Sequence, residues 1–195
     1  TYLERLMAVT RSVPLPTANS GTAGWYAFAG VTIPMAGRIA GTTDNFDFAR
    51  EVAQNVLSAS VVPGFEVAAY VGLALIAVQL NEVNSAKALY TRLEGTAGTM
   101  SPTSPNGPGL ATYRLLGLLA HTSGDLTTAV EHFDKAMDFC RKGGFLPELA
   151  WTCSDYANAI KDRNQPADSD KASILLEESL EIARSLDMRP LMENV

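Results

Sequence analysis

His132 has Glu131 before it and Asp134 two positions after it. An imidazole among carboxylates is the raw material of general acid–base catalysis. The spacing argues against that use, because adjacent residues on a helix point apart and this stretch has a helical pattern. The trio therefore reads as one solvated helical face. Arg114 and His121 lie seven positions apart, which is two helical turns, so both can share one face. That face would suit a peptide or a small polar ligand. Trp151, Asp155 and Tyr156 form a second cluster of large side chains with polar tips, equally readable as a groove lining or as buried anchors. Gln79 adds an amide at the end of the most apolar stretch. These six residues are the candidate binding set. Arg189-Pro190 reads as an array terminator rather than a phosphate ligand.

Other chemistry has little to stand on. Cys140 and Cys153 are 13 residues apart with no CxxC and two histidines in the whole chain, which is no zinc pattern. They read as small buried apolar residues of a reducing, cytoplasmic protein. No GxxxxGK[ST] loop is present to cradle phosphates, and no GxSxG elbow presents a serine. No pair of metal-binding aspartates and no helix-turn-helix with basic flanks occurs. The expectation is a protein without catalytic residues, metal or cofactor.

The totals agree. The chain has 195 residues, 47% hydrophobic and 18% charged, with a net charge of −6 and a pI near 4.9. The 15 Lys and Arg are scattered, which excludes a nucleic-acid groove. The most apolar run, Val67 to Leu80, has 14 residues, short of the roughly 20 a membrane span needs. The absence of an initiator Met and of a leader gives the look of a piece of something longer.

The elements that must carry these residues are helices. Tyr2, Leu3, Leu6 and Met7 mark one side of a helix end, and Ser12 to Gly24 reads as a linker. Trp25 to Ile39 reads as a helix that Pro34 should kink or split. Asp44 or Asn45 should cap a helix to Ala59. Further helices are expected at 65–80, 85–94, from near Pro108 to Thr122, from Asp125 as cap to Lys142, from Pro147 to Lys161, and from Ser169 as cap to Leu186. Gly95 to Gly109 is a second flexible stretch. No strand is expected. The domain division is 1–22, the end of a preceding region and a linker, then 23–195, a repeat domain.

A period organises these helices. Tyr70, Leu73, Ala74, Ala77, Ala86, Tyr90 and Leu93 are matched 43 positions later by Tyr113, Leu116, Gly117, Ala120, Ala129, Phe133 and Ala136, and a weaker echo follows at Ala172, Leu176 and Ser179. A fixed interval of this size means stacked helix pairs. Small residues let the paired helices approach, and the aromatic fills the gap to the next pair. The fold class is all-α.

The small-and-aromatic spacing resembles the tetratricopeptide repeat, whose usual period is about 34. The resemblance implies a right-handed α-α superhelix of stacked antiparallel pairs with a concave groove. Gln79, Arg114, His121, Trp151, Asp155 and Tyr156 would line it. A narrower likeness rests on Leu115 to Ala120, Ala129 with His132-Phe133, Phe139 to Lys142, Pro147 to Ala157 and Leu186 to Glu193. Those runs look like the repeat region at the C-terminal end of bacterial regulators. There an AAA-like ATPase shares a chain with an adenylate/guanylate cyclase or a LuxR-type DNA-binding domain. This implies a non-catalytic, cytoplasmic scaffold that senses a protein, a peptide or another domain of its own chain. Two other classes stay open: a fragment of a nucleotide-binding or cyclase enzyme, and a self-associating module pairing through its array ends.

Overall fold

The computed structural model describes residues 2–17, 22–59, 61, 63–101 and 109–195. Ten α-helices appear among them: α1 (Tyr2–Ser12), α2 (Thr22–Ala40), α3 (Phe46–Ser58), α4 (Pro63–Gln79), α5 (Val83–Leu93), α6 (Thr112–Thr122), α7 (Leu126–Gly143), α8 (Leu146–Arg163), α9 (Asp168–Ser185) and α10 (Arg189–Asn194). The chain is mostly helical, and most helices pack on their neighbours in sequence. One small correction concerns strands. The two-residue segments β1 (Met100–Ser101) and β2 (Leu110–Ala111) pair with each other, too short a ladder for any alternation to show. Pro108 falls outside the described residues, and the helix expected to begin near it starts at Thr112. Among the described residues, no helix is long and apolar enough to cross a membrane.

The chain divides into two compact units, Thr1–Asn81 with Ser101–Gly109, and Glu82–Met100 with Leu110–Val195. The first copy of the 43-residue pattern is thereby shared out, α4 to one unit and α5 to the other, while the second copy, α6 and α7, lies in one unit.

In the first unit α2 packs on both α3 and α4, α3 packs on α4, and α1 lies against α2. Tyr26, Ile33, Phe46, Val52, Val56 and Ile76 are central to its core. Small residues set the helix separation. A Cβ on Gly30 would stand 3.4 Å from that of Ala53, and a Cβ on Gly72 would collide with the Gly30 carbonyl oxygen. Pro34 neither splits nor ends α2, which runs unbroken through it. Proline leaves the carbonyl four residues back without its ladder donor and crowds it. That carbonyl is Gly30's, and the bare Gly72 backbone of α4 gives it room. Gln79 Nε2 donates to the Pro34 carbonyl at 2.9 Å, a further tie between α2 and α4 beside the interrupted ladder. The expected cap at Asn45 is absent: the residue precedes α3 in a left-handed conformation (φ 66°) and its side chain makes no capping bond.

In the second unit the order of packing follows the chain: α5 on α6, α6 on α7, α7 on α8, α8 on α9, α9 on α10. The turns explain why. After α6, Gly124 takes φ 86°, Gly124 N–H donates to the His121 carbonyl and Asp125 N–H to the Ala120 carbonyl. This paired closure ends a helix sharply. Asp125 then caps α7, its carboxylate accepting from Thr128 N–H at 3.1 Å. Gly144 and Phe145 repeat the closure after α7 with the carbonyls of Arg141 and Cys140, and Phe145 packs on Phe139. Asp187 and Met188 repeat it after α9. Ser169 is not the cap of α9. Ala167 precedes the helix with φ 71° and makes no side-chain bond, and Asp168 binds the Gln165 N–H and Arg163 instead.

In the second copy and in the third echo, repeated positions do the packing expected of them. A Cβ on Gly117 would sit 3.0 Å from the Phe133 ring, so glycine lets the ring lie across α6. Phe133 in turn stacks on Tyr156 of α8 at 5.6 Å, bridging one pair to the next. Ser179 is fully buried and donates to the Ala150 carbonyl, bringing α9 onto α8.

Candidate functional site

The polar groups that could do chemistry concentrate in the second unit, in one buried cluster and two open clefts. The cluster centres on Arg114, which is 3% exposed. Its Nε donates to Asp155 Oδ2 at 2.7 Å and its Nη1 to Glu148 Oε2 at 2.9 Å. Its guanidinium carbon lies 5.6 Å from the Trp151 ring centre. Glu148 Oε1 also accepts from Ala111 N–H at 2.9 Å, tying the chain just before α6 to α8. Burial alone would lower Arg114, and the two carboxylates outweigh it and hold the group above its usual value. At Glu148 burial outweighs the pull of Arg114 and the Ala111 amide and holds the carboxyl above its usual value. Both of its oxygens accept N–H bonds, which the ionised form alone satisfies fully. The cluster is thus a guanidinium clamped between two carboxylates, with a stacked indole as lid.

The first cleft, about 650 Å³, lies between α5 and the α6–α7 turn. Lys87, Tyr90 and Thr91 form one wall, and Ser123, Asp125 and Thr128 are on the other. The second, about 420 Å³, runs between α7 and α9. Met137 and Leu175 form its apolar floor and Ile174 its apolar edge, with Asp134, Arg141, Lys171 and Glu178 around them. Arg141 Nη2 binds both Glu178 oxygens, at 2.8 and 2.7 Å. Tyr156 donates to Asp134 Oδ1 at 2.8 Å, and Lys171 Nζ contacts the Tyr156 hydroxyl while sitting 4.4 Å over its ring.

The structure brings Arg114, Trp151 and Asp155 into one cluster and separates the other three candidates from it. His121 is on α6 with Arg114 but turns to Asp162 of α8 at 2.7 Å. Tyr156, fully buried as a ring, points its hydroxyl to the α7–α9 cleft. Gln79 belongs to the first unit, where it serves Pro34. Glu131, His132 and Asp134 form no dyad: His132 Nε2 meets Tyr90 and Asp134 meets Tyr156. Cys140 and Cys153 are free and buried. Burial is the first cause that pushes their thiols up, to about 11 and about 12, so neither is a poised nucleophile.

Sequence reasoning missed Glu148, although Glu148, Trp151 and Asp155 stand at the i, i+3, i+7 spacing of one helical face. It also missed that Tyr156 continues the pattern, lying 43 positions after Tyr113. Among the described residues, no group of three or more His, Cys, Asp or Glu could hold a metal ion.

Comparison with protein-family models, curated proteins and solved structures returns no match for this chain.

Proposed function

We propose that this chain is a non-catalytic, tetratricopeptide-like scaffold that binds a protein or peptide. The observation that carries the reading is the α7–α9 cleft. It has an apolar floor, an exposed Ile174 at its edge (64% exposed) and a rim of charges. Apolar centre and polar rim are the make-up of a protein-binding surface. The side chains elsewhere in the unit that could react are instead tied to one another, Arg114 above all. A 43-residue interval carried by packing residues supports a superhelical array. Its likeness to the repeats of cyclase- and LuxR-type ATPase regulators supports a regulatory, cytoplasmic role within a larger signalling chain.

Two measurements test this. Calorimetry with ATP and magnesium is expected to give no saturable heat, and saturable micromolar binding would sink the scaffold reading in favour of a nucleotide enzyme. Affinity capture with the wild-type chain and with Ile174→Asp supplies the second. A partner retained by the wild type and lost by the variant supports the cleft. Identical profiles mean that this surface binds nothing.

A further inference from the structure

The seam between α5 and α7 holds a titratable ring in surroundings made for its neutral form. His132 lies on the buried face of α7, 9% exposed. Its Nε2 is 2.7 Å from the Tyr90 hydroxyl of α5, and its Nδ1 is buried with no hydrogen-bond partner. The Tyr90 ring meets the imidazole edge-on at 5.6 Å, and the Tyr113 ring of α6 lies 6.2 Å away. A neutral imidazole has one donor and one acceptor. With the proton on Nε2, the ring donates to Tyr90 Oη and Nδ1 keeps only a bare lone pair. An imidazolium must carry protons on both nitrogens. It would set a charged N–H at Nδ1 against no acceptor, a costly kind of unmade hydrogen bond.

The neighbouring charges do not repair this. Burial first, and then Lys135 on α7, hold the ring below its usual value, against the pull of Glu131 on α7 and Asp125 at the α6–α7 turn. From α5 the facing group is the Tyr90 phenol, itself pushed up by burial and then by Glu94, Asp125 and Glu131. From α6 it is the uncharged Tyr113 ring.

We infer that His132 is a proton-operated latch that frees α5 from α7 as the medium turns acid, and so reshapes the cleft whose wall α5 forms. Within its unit α5 packs mainly on α6, and its buried residues are Ala86, Leu89 and Leu93. The Tyr90–His132 bond is its polar tie to α7, and Lys87, Tyr90 and Thr91 are its share of the 650 Å³ cleft. An unfolded or released His132 titrates at 6.5, and the enclosed ring titrates lower. The released form therefore binds the proton first. The stabilisation is complete above pH 6.5 and is lost as pH falls from 6.5 through the enclosed ring's value.

Hydrogen exchange on the full chain, from about pH 7.5 to about pH 5, tests the latch. After correction for intrinsic rates, α5 amides are expected to open several-fold more often at the acid end, with α9 amides unchanged. His132→Gln keeps a side-chain amide for Tyr90 without a titration and should abolish the response. An equal rise in wild type and variant, or in α9 as much as in α5, overturns the latch. An NMR titration of the wild-type ring nitrogens needs no variant, because the chain has only two histidines. His132 is expected as the Nε2–H tautomer, protonating below 6.5. Protonation at or above 6.5 refutes the latch even if His132→Gln does not fold.

Discussion

The two units bury helices by opposite means. The first relies on absence of bulk: Gly30, Gly72 and Ala53 bring three backbones close, and among the described residues the buried polar side chain in its helices is Thr10, bonded within α1 to the Leu6 carbonyl. The second relies on partners. Every buried Asp, Glu, Lys or Arg side chain among the described residues lies there: Arg114, Glu148, Asp155 and Asp168. Each of Arg114, Glu148 and Asp168 is held by bonds reaching to another helix or across a turn. Close backbone packing is non-directional and tolerates no added atom. A buried ionic network fixes register, and it tolerates loss of the whole network better than loss of one member.

The sharpest way to break this contrast is to remove one charge. Arg114→Met leaves Glu148 and Asp155 enclosed without their cation, and is expected to cost about 3–5 kcal/mol. The chain carries two tryptophans, Trp25 in the first unit and Trp151 in the second. With Trp25 replaced by Phe, the urea midpoint read by Trp151 should fall steeply. Replacing Arg114, Glu148 and Asp155 together by apolar residues should restore much of the loss. If the triple variant is worse than the single one, the network is not the self-cancelling unit argued here.

Gly72→Ala is the matching test of the first unit. The added methyl would meet the Gly30 carbonyl, backbone that no rotamer change can move, so a loss of about 1–3 kcal/mol is expected. Trp25 fluorescence, with Trp151 replaced by Phe, should report it. A Gly72→Ala loss that Trp151 reports as strongly as Trp25 would mean that the two units unfold as one, and the contrast would then be one of style only.

The two modes of packing also explain what was legible in the sequence. The second unit could be read because its packing residues belong to a recurring pattern of residue types. Gly117 under Phe133 and Phe133 on Tyr156 are residue types at fixed intervals, and Gly124, Asp125 and Gly144 mark turns by their conformational needs. Glu148 was not legible as Arg114's partner, because the pairing is made in space between α6 and α8. Within the first unit, α2 is apolar nearly all round, and its contacts depend on where three backbones happen to lack side chains. Pro34 is a strong local signal for a break, and tertiary packing overrides it: Gly72 leaves room for the Gly30 carbonyl that the ring crowds, and Gln79 ties the Pro34 carbonyl to α4. Asn45 and Asp44 looked like caps by type. The left-handed backbone at Asn45 (φ 66°) turns its side chain away from that use.

That last difference gives the smallest and most discriminating pair of variants. Asp125 caps α7 through Thr128 N–H, and the Thr128 side chain first, then this amide, hold its carboxyl below the usual range. Asp125→Ala should cost about 1 kcal/mol at neutral pH. The carboxylate's own contribution is present above 3.8 and lost as pH falls through the lowered folded value, so the penalty of the substitution should shrink in acid. Asp125→Asn, which can still accept the amide bond, should show neither the full loss nor that pH dependence. Asn45→Gly is the counterpart before α3. It removes no capping bond and relieves a positive φ, so stability should hold or rise slightly, by up to about 1 kcal/mol. A loss at Asn45 as large as that at Asp125 would show that the first unit, too, depends on a side chain at its turn, and that its helices are not placed by close backbone packing alone.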